Sequence, residues 1–273
     1  MIPLRVARLA RSLAISSAFF AMAMIAPVVA AQSKSVQLSA DVTAIEQAVN
    51  TPDRLQKDKE RDLVRKPVAL YSFAGVRPGM HVLDWFSGSG YNSEILGRIV
   101  GPSGEVLYHQ NETTLLIFDK DAVSQHRFFI RQPQVKLLLA DNNEMILKPN
   151  SLDLIFTYDN FHDLGYIAPE VGWNKFDPQK LLKEWYKGLK PGGVVVIADH
   201  IAPAGMPLEE SGQKLHRVDP ELVKKMMKDI GFVFEADSDL YRNSTDEHTK
   251  LSIDPSILYK TDRFLFRFRK PAK

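Results

Sequence analysis

The sequence predicts an α/β fold, a mostly parallel sheet with helices on both faces and an antiparallel hairpin at its C-terminal edge. Three observations predict it. Apolar runs recur at Val82–Leu83, Val106–Tyr108, Val135–Ala140, Leu152–Thr157 and Val194–Ala198, separated by helix-length segments; strands that alternate with helices build a parallel sheet buried on both sides. Near the end of the chain, Phe232–Asp239 and Arg263–Arg269 alternate in polarity, as half-buried antiparallel strands do. The first run ends at Asp84 and passes straight into the turn of HVLDWFSGSGY, residues 81–91, the strand, glycine turn and helix start of a nucleotide-cradling unit.

Taking the chain in order, Arg5, Arg8 and Arg11 precede an uncharged, largely apolar run from Ser12 to Ala31, with small residues at Val28, Ala30 and Ala31. This is the pattern of a secretory signal peptide over residues 1–31, cleaved to leave Ala31 or Gln32 first, and it predicts a periplasmic or secreted protein. The alternative is an uncleaved anchor, since the run approaches the roughly 20 residues that span a bilayer; Pro27 and the Val-x-Ala signals favour removal. With no cysteine there is neither disulfide nor lipidated N-terminus. Removing the three arginines takes the 35 Lys and Arg to 32 against 33 Asp and Glu, a formal charge near −1, which argues against nucleic acid as a partner.

Residues 32–60 read as a polar, partly helical extension, and 61–273 as one domain. Val42–Val49 and Leu55–Phe73 have helical periodicity, the second interrupted by Pro67, and the charge run from Arg54 to Lys66 reads as a solvated helix face, not a binding patch.

Gly88 and Gly90 lack a Cβ, so the backbone can bend sharply, admit a ligand closely and aim free N–H groups at it from the start of the next helix. Phe86 occupies the first glycine position of the dinucleotide fingerprint and nothing follows Gly90 at the third, which disfavours a hydride-transfer cofactor. The string resembles motif I of class I S-adenosylmethionine-dependent methyltransferases, with Asp84 in the acidic place. RPGMHVLD, LKPGGVVVIADH at 189–200, RVDPELVKKMMKDIGF, RNSTDEHTK and KTDRFLFRFRKP extend the likeness to a bacterial family of exported methyltransferases. The resemblance implies a Rossmann-like, seven-stranded sheet and S-adenosylmethionine as cofactor.

The chemistry of such a sheet lies beyond the carboxyl ends of its parallel strands. The resemblance assigns the methionyl part to the backbone of Ser87, Gly88, Ser89 and Gly90, with Asp84 orienting the turn or accepting from the ligand's ammonium. Asp141 stands where the adenine amino group is bound, and Asn142 either shares that bond or makes the turn. Asp159 and Asn160 follow the fourth strand. Gln110 occupies the place of the carboxylate that usually grips the ribose hydroxyls. An amide grips a diol less tightly than a carboxylate, so Gln110→Glu is expected to tighten binding; Glu112, two residues on, is a substitute at unusual spacing.

Methyl transfer from a sulfonium mainly requires positioning and, for an O–H or N–H acceptor, removal of a proton. His162 in YDNFHDLGY is the candidate base, oriented by Asp163 or Asp199; its alternative is a hydrogen bond within a structured loop. His162, Asp163, Asp199, His200, His216 and His248 form no metal-ligand motif, and no metal is expected. The segments with His216, Arg217 and Asp219, and with Arg242, Asn243, Asp246, His248 and Lys250, read either as a lid or acceptor pocket whose Arg217 or Arg242 grips an anion, or as salt bridges to each other. Trp85, Trp173 and Trp185 read as packing residues, with Trp85 also placed to floor a ligand. The expected function is methyl transfer to a small-molecule acceptor. The alternatives are a repurposed fold that binds another nucleoside-like or small polar ligand, and a non-catalytic interaction protein; the oligomeric state stays open.

Overall fold

A computed structural model describes residues 41–116 and 131–272. The expected signal peptide and residues 32–40 lie outside the described residues. No helix among the described residues is long and apolar enough to cross a membrane.

The strands are β1 (His81–Asp84), β2 (Glu105–Gln110), β3 (Val135–Leu139), β4 (Leu152–Tyr158), β5 (Leu189–His200), β6 (Val233–Asp237) and β7 (Arg263–Arg269). They form one seven-stranded sheet in the order β3-β2-β1-β4-β5-β7-β6. The first five run parallel, with Leu83 opposite Leu107 and Ile155, while β7 lies antiparallel between β5 and β6. The predicted fold class is thus observed. Order reverses between β1 and β4, and the crevice above that switch point is where such sheets bind ligands.

Residues 41–49 are helical, and the helices that bear on the site are α1 (Gln56–Arg65), α2 (Pro67–Ala74), α3 (Tyr91–Val100), α4 (Pro178–Gly188), α5 (Leu208–Leu215) and α6 (Pro220–Ile230). Asp177 and Asp219 cap α4 and α6 by accepting from backbone N–H groups, each followed by a proline whose fixed φ suits a first turn. Alternation along the central strands sorts the core into two layers. Val82, Leu154, Phe156, Val194 and Val196 pack with Ile95, Leu96 and Tyr71 on one face. Leu83, Ile155, Val195 and Ile197 pack with Trp85, Trp185, Leu181 and Val223 on the other.

The Arg54–Lys66 run is not a solvated face. Arg54 is 4% and Asp58 1% exposed; Arg54 donates to the Val49 carbonyl at 2.6 Å and to both oxygens of Asp62 at 2.8 Å. Tyr91, the first residue of α3, donates to Asp62 at 2.5 Å, and the Arg65 guanidinium lies 4.7 Å from the Tyr91 ring centroid and 4.4 Å from that of Tyr158. A boundary at residue 60 would fall inside α1, which is docked by these pairs beside the glycine turn.

Candidate functional site

The glycine turn is built from β1 and braced from β2. Asp84 Oδ2 accepts from the hydroxyls of Ser87 and Ser93, tying the turn to the first turn of α3. Burial pushes the Asp84 carboxyl up to about 6 despite these bonds. Asp84 is 1% exposed, so of its two expected roles the geometry gives it the orientation of the turn. Phe86, Gly88 and Gly90 all have positive φ, at 50°, 57° and 87°. A Cβ added to Gly88 would meet nothing within 4 Å, so the backbone there faces open space. Ser89 is half-buried and its hydroxyl lies 3.5 Å from Arg61 Nη1.

Three consecutive β2 side chains hold this turn from below. Tyr108 donates to the Gly88 carbonyl at 2.6 Å. His109 accepts from the Phe86 N–H at Nδ1 and donates from Nε2 to the Ala140 carbonyl at 3.0 Å; burial pushes it down to about 4, which keeps it neutral for both bonds. Gln110 donates to the Gly88 carbonyl and, at 2.7 Å, to the Tyr108 hydroxyl. Gln110 is 0% exposed. Its amide N–H₂ is required by a carbonyl that can only accept, while its Oε1, the atom expected to meet a ribose diol, is buried with no hydrogen-bond partner among the described residues.

Two cavities open above the strand ends. One of about 760 Å³ is lined by Asn111, Glu112, Ala140, Asp141 and Asn143, beyond β2 and β3. Asp141 lines it while accepting from the Asn143 N–H, whereas Asn142 is 2% exposed and accepts from Trp85 Nε1 at 2.9 Å. That bond takes the Asn142 oxygen and leaves its Nδ2 without a partner among the described residues, and Trp85, fully buried against Trp185, floors no ligand. The second cavity, of about 410 Å³, has Phe86, Gly88, Asp159, His216, Trp173 and Tyr259 on its walls. Asp159 accepts from Arg263 at 3.0 Å, and Arg263 also donates to the Tyr158 hydroxyl at 2.5 Å.

Of the three residues expected to do catalysis, His162 and Asp163 line this second cavity and Asp199 is buried behind His162. The short 3₁₀ turn Phe161–Gly165 follows β4, and Asp199 near the end of β5 accepts from both the backbone N–H and Nδ1 of His162, each at 2.8 Å. Asp163 Oδ1 lies 3.4 Å from His162 Nε2 and 3.7 Å from His216 Nδ1. Burial opposes charge on His162, but Asp199 and Asp163 outweigh it and hold the imidazole up to about 9. Burial also lifts Asp163 to about 6 and pushes His200 and His216 down to about 4. Asp199 thus orients His162 as expected, holding Nδ1 and leaving Nε2 to face Asp163.

A family model described as a methyltransferase domain matches residues 77–249. The chain belongs to that family. The cofactor that membership implies is S-adenosylmethionine. Over 137 residues the chain is 29% identical to a ubiquinone/menaquinone biosynthesis C-methyltransferase of Haemophilus ducreyi, covering 50% of this chain and 48% of that protein. Over 122 residues it is 30% identical to a protein-L-isoaspartate O-methyltransferase of Triticum aestivum, covering 45% and 46%. The chain spans about half the length of the curated relatives it matches. Among solved structures, a SAM-dependent methyltransferase from Aquifex aeolicus superposes with a TM-score of 0.53 at 20% identity, over 78% of this chain and 97% of that one. A Haemonchus contortus phosphoethanolamine N-methyltransferase in complex with S-adenosyl-L-methionine gives 0.51 at 16% identity, over 84% and 60%. At such identities these likenesses concern the fold.

The other polar segments of this methyltransferase-family chain are staples. Arg217, 0% exposed, donates to Asp246 at 2.8 Å and 3.2 Å and to the carbonyls of Ile201 and Lys250. Arg242 and His248 both meet Asp262. Arg217 is not left to grip an anion, and its pair with Asp246 is the expected salt bridge between the two segments, whereas half-exposed Arg242 pairs outside them, with Asp262. These pairs nevertheless fix the stretch whose Ser252, Ile253, Leu258 and Tyr259 wall the second cavity. Tyr108, His109 and Arg263 escaped the sequence reading because each lies within a strand, where a polar residue gives no motif; the charged Arg263 at a strand end was the one available signal.

Proposed function

We propose that this chain transfers a methyl group from S-adenosylmethionine to a small-molecule acceptor held in the 410 Å³ cavity. When bound, the cofactor supplies an activated sulfonium methyl, so the protein needs chiefly to position the partners. One observation carries the reading: Gly88, at positive φ and with nothing within 4 Å of where a side chain would start, leaves the turn open at the cavity wall, as close approach of a ligand backbone requires. Ser87 and Gly90 spend their N–H groups on the His109 and Ser87 carbonyls, which leaves those of Gly88, Ser89 and the start of α3 for the ligand, and Glu112 and Asp141 provide carboxylates in the adjoining cavity. Trp173, Phe86, Tyr166 and Tyr259 offer flat apolar faces to the acceptor. The relatives' names divide between carbon and oxygen acceptors, so the methylated atom is not taken from them.

One observation favours a second reading, a fold repurposed for another nucleoside-like ligand. The ribose carboxylate is replaced by Gln110, whose donors are engaged within the protein. Calorimetric titration of the purified chain with adenosylhomocysteine, adenosine and methylthioadenosine decides. Saturable 1:1 binding of adenosylhomocysteine supports methyl transfer; binding of adenosine alone supports the second reading and overturns the first.

We also propose that the protein is exported, as a member of the exported family it resembles, on the strength of Arg5, Arg8, Arg11 and the apolar run to Ala31. Mass analysis of native protein recovered outside the cytoplasm should show Ala31 or Gln32 first; an intact Met1 terminus on cytoplasmic protein would sink this reading.

A further inference from the structure

We infer that His162, Asp163 and His216 form a binding site for a borderline divalent transition metal ion, of which zinc is the probe, on the wall of the 410 Å³ cavity. The inference stands on geometry alone and is independent of the cofactor reading. One ring nitrogen from each histidine and a carboxylate oxygen of Asp163 all lie within 4.8 Å of one another. Around an ion with bonds of about 2.0–2.1 Å, tetrahedral ligands sit about 3.4 Å apart. The two contacts to Asp163 Oδ1 measure 3.4 Å and 3.7 Å. They are long for hydrogen bonds. Among the described residues the Asp163 carboxylate accepts no hydrogen bond and the His216 ring makes none, so Asp163 Oδ1 stands between two ring nitrogens at ion-pair distances only.

The surroundings are those that orient metal ligands. His162 turns its other nitrogen to Asp199, the carboxylate–histidine arrangement that fixes a ligating imidazole. Asp199 is itself 0% exposed and held by the backbone N–H groups of His162 and His200. His216 sits at the end of α5 with φ 46°, a left-handed conformation uncommon for histidine. The two elements that carry the ligands are locked by glycines. A Cβ on Gly165 would lie 2.1 Å from the Leu208 carbonyl oxygen, and one on Gly212 would lie 2.7 Å from that of His162. Such close approach presses α5 against the 3₁₀ turn and fixes the spacing of His216 from His162. Two nitrogens and one oxygen suit zinc or its neighbours and leave the remaining coordination positions to ligands entering from the cavity. A second grouping, Asp159, Asp199 and His200, is not a site, because Asp199 is engaged by His162 and Asp159 by Arg263.

Chelator-stripped, desalted protein is titrated with zinc chloride by calorimetry and with cobalt chloride by visible absorption. One saturable equivalent is expected, with ligand-field bands for cobalt. His216→Asn, which keeps a residue tolerant of the left-handed backbone, and Asp163→Asn should each weaken zinc at least tenfold. Asp199→Asn, acting through His162, should weaken it roughly 10–100-fold, and His248→Asn should leave it unchanged. No saturable binding by the folded wild type, or equal binding by the His216 and Asp163 variants, overturns the site. Adenosylhomocysteine is titrated in parallel: zinc binding without it overturns only the cofactor reading, and the reverse overturns only the metal site.

Discussion

Replacing Gln110 by Glu reverses what motif comparison alone expects. In the structure the amide donates to the Gly88 carbonyl and the Tyr108 hydroxyl from a position with 0% exposure. Glutamate removes both donors and sets a carboxylate against a carbonyl oxygen. Two lost bonds at about 1 kcal/mol each, plus about 1 kcal/mol or more for the unsatisfied charge, give roughly 3 kcal/mol. At about 2–4 °C per kcal/mol for a domain of this size, Tm should fall by roughly 6–12 °C. The penalty has a pH signature. Burial raises the new carboxyl's folded pKa above its unfolded value, so the loss is absent below the unfolded pKa and grows as pH rises through the folded one. Protonated, the acid again donates to Gly88. Thermal melts of wild type and variant at pH 5 and pH 8 test this, with adenosylhomocysteine titrations beside them. A Glu variant as stable as wild type at pH 8, or one that binds more tightly, would refute the clamp and restore the ribose-facing side chain.

Gly88→Val should abolish adenosylhomocysteine binding in calorimetry while the circular dichroism spectrum stays native, because φ 57° costs the new residue about 1–2 kcal/mol and its side chain enters open space; unchanged affinity would put the site elsewhere. Asp84→Asn should stabilise the protein at pH 8: a carboxyl raised from its ordinary 3.8 to about 6 makes wild type lose stability as pH rises from about 4 to 6, by roughly 3 kcal/mol at most. Denaturant melts across that range should be flatter for the variant, and parallel curves would contradict the argument. Arg217→Ala should cost about 3–5 kcal/mol, since it removes a fully buried guanidinium and leaves the Asp246 carboxylate only the N–H groups of His248 and Asp262; urea unfolding showing under about 1 kcal/mol would mean the pair is dispensable.

The strand centres were legible because apolar runs survive any context: Val194–Ala198 marks the middle of β5, and Arg263–Arg269 is β7 as predicted. The extent of β5 from Leu189 to His200 was not, since Pro191, Gly192 and Gly193 read as a turn. The same limit hid the docking of α1. A charged face looks solvated until its partners are known, and Tyr91 and Tyr158 lie far off in sequence. The glycine turn and the polar strand ends were visible as types of residue, whereas which atoms face a cavity was not. Asn142 is engaged by Trp85, and Gln110 by Gly88 and Tyr108, partners that no spacing rule names. His162 and His216 meet only because Gly165 and Gly212 let α5 come close, a contact written in two small residues with no chemistry of their own.

The clamp from β2 also constrains how this sequence can change. Tyr108 and Gln110 share the Gly88 carbonyl and bond to each other, while His109 holds the amide of Phe86 two residues earlier. Their contributions are interdependent, so a substitution at one alters what is tolerated at the others. A drift toward an acidic residue at 110 passes through a destabilised intermediate unless 108 changes with it. The neutral side chain in the ribose position is therefore entrenched by its neighbours, and engineering a carboxylate there should begin with residue 108.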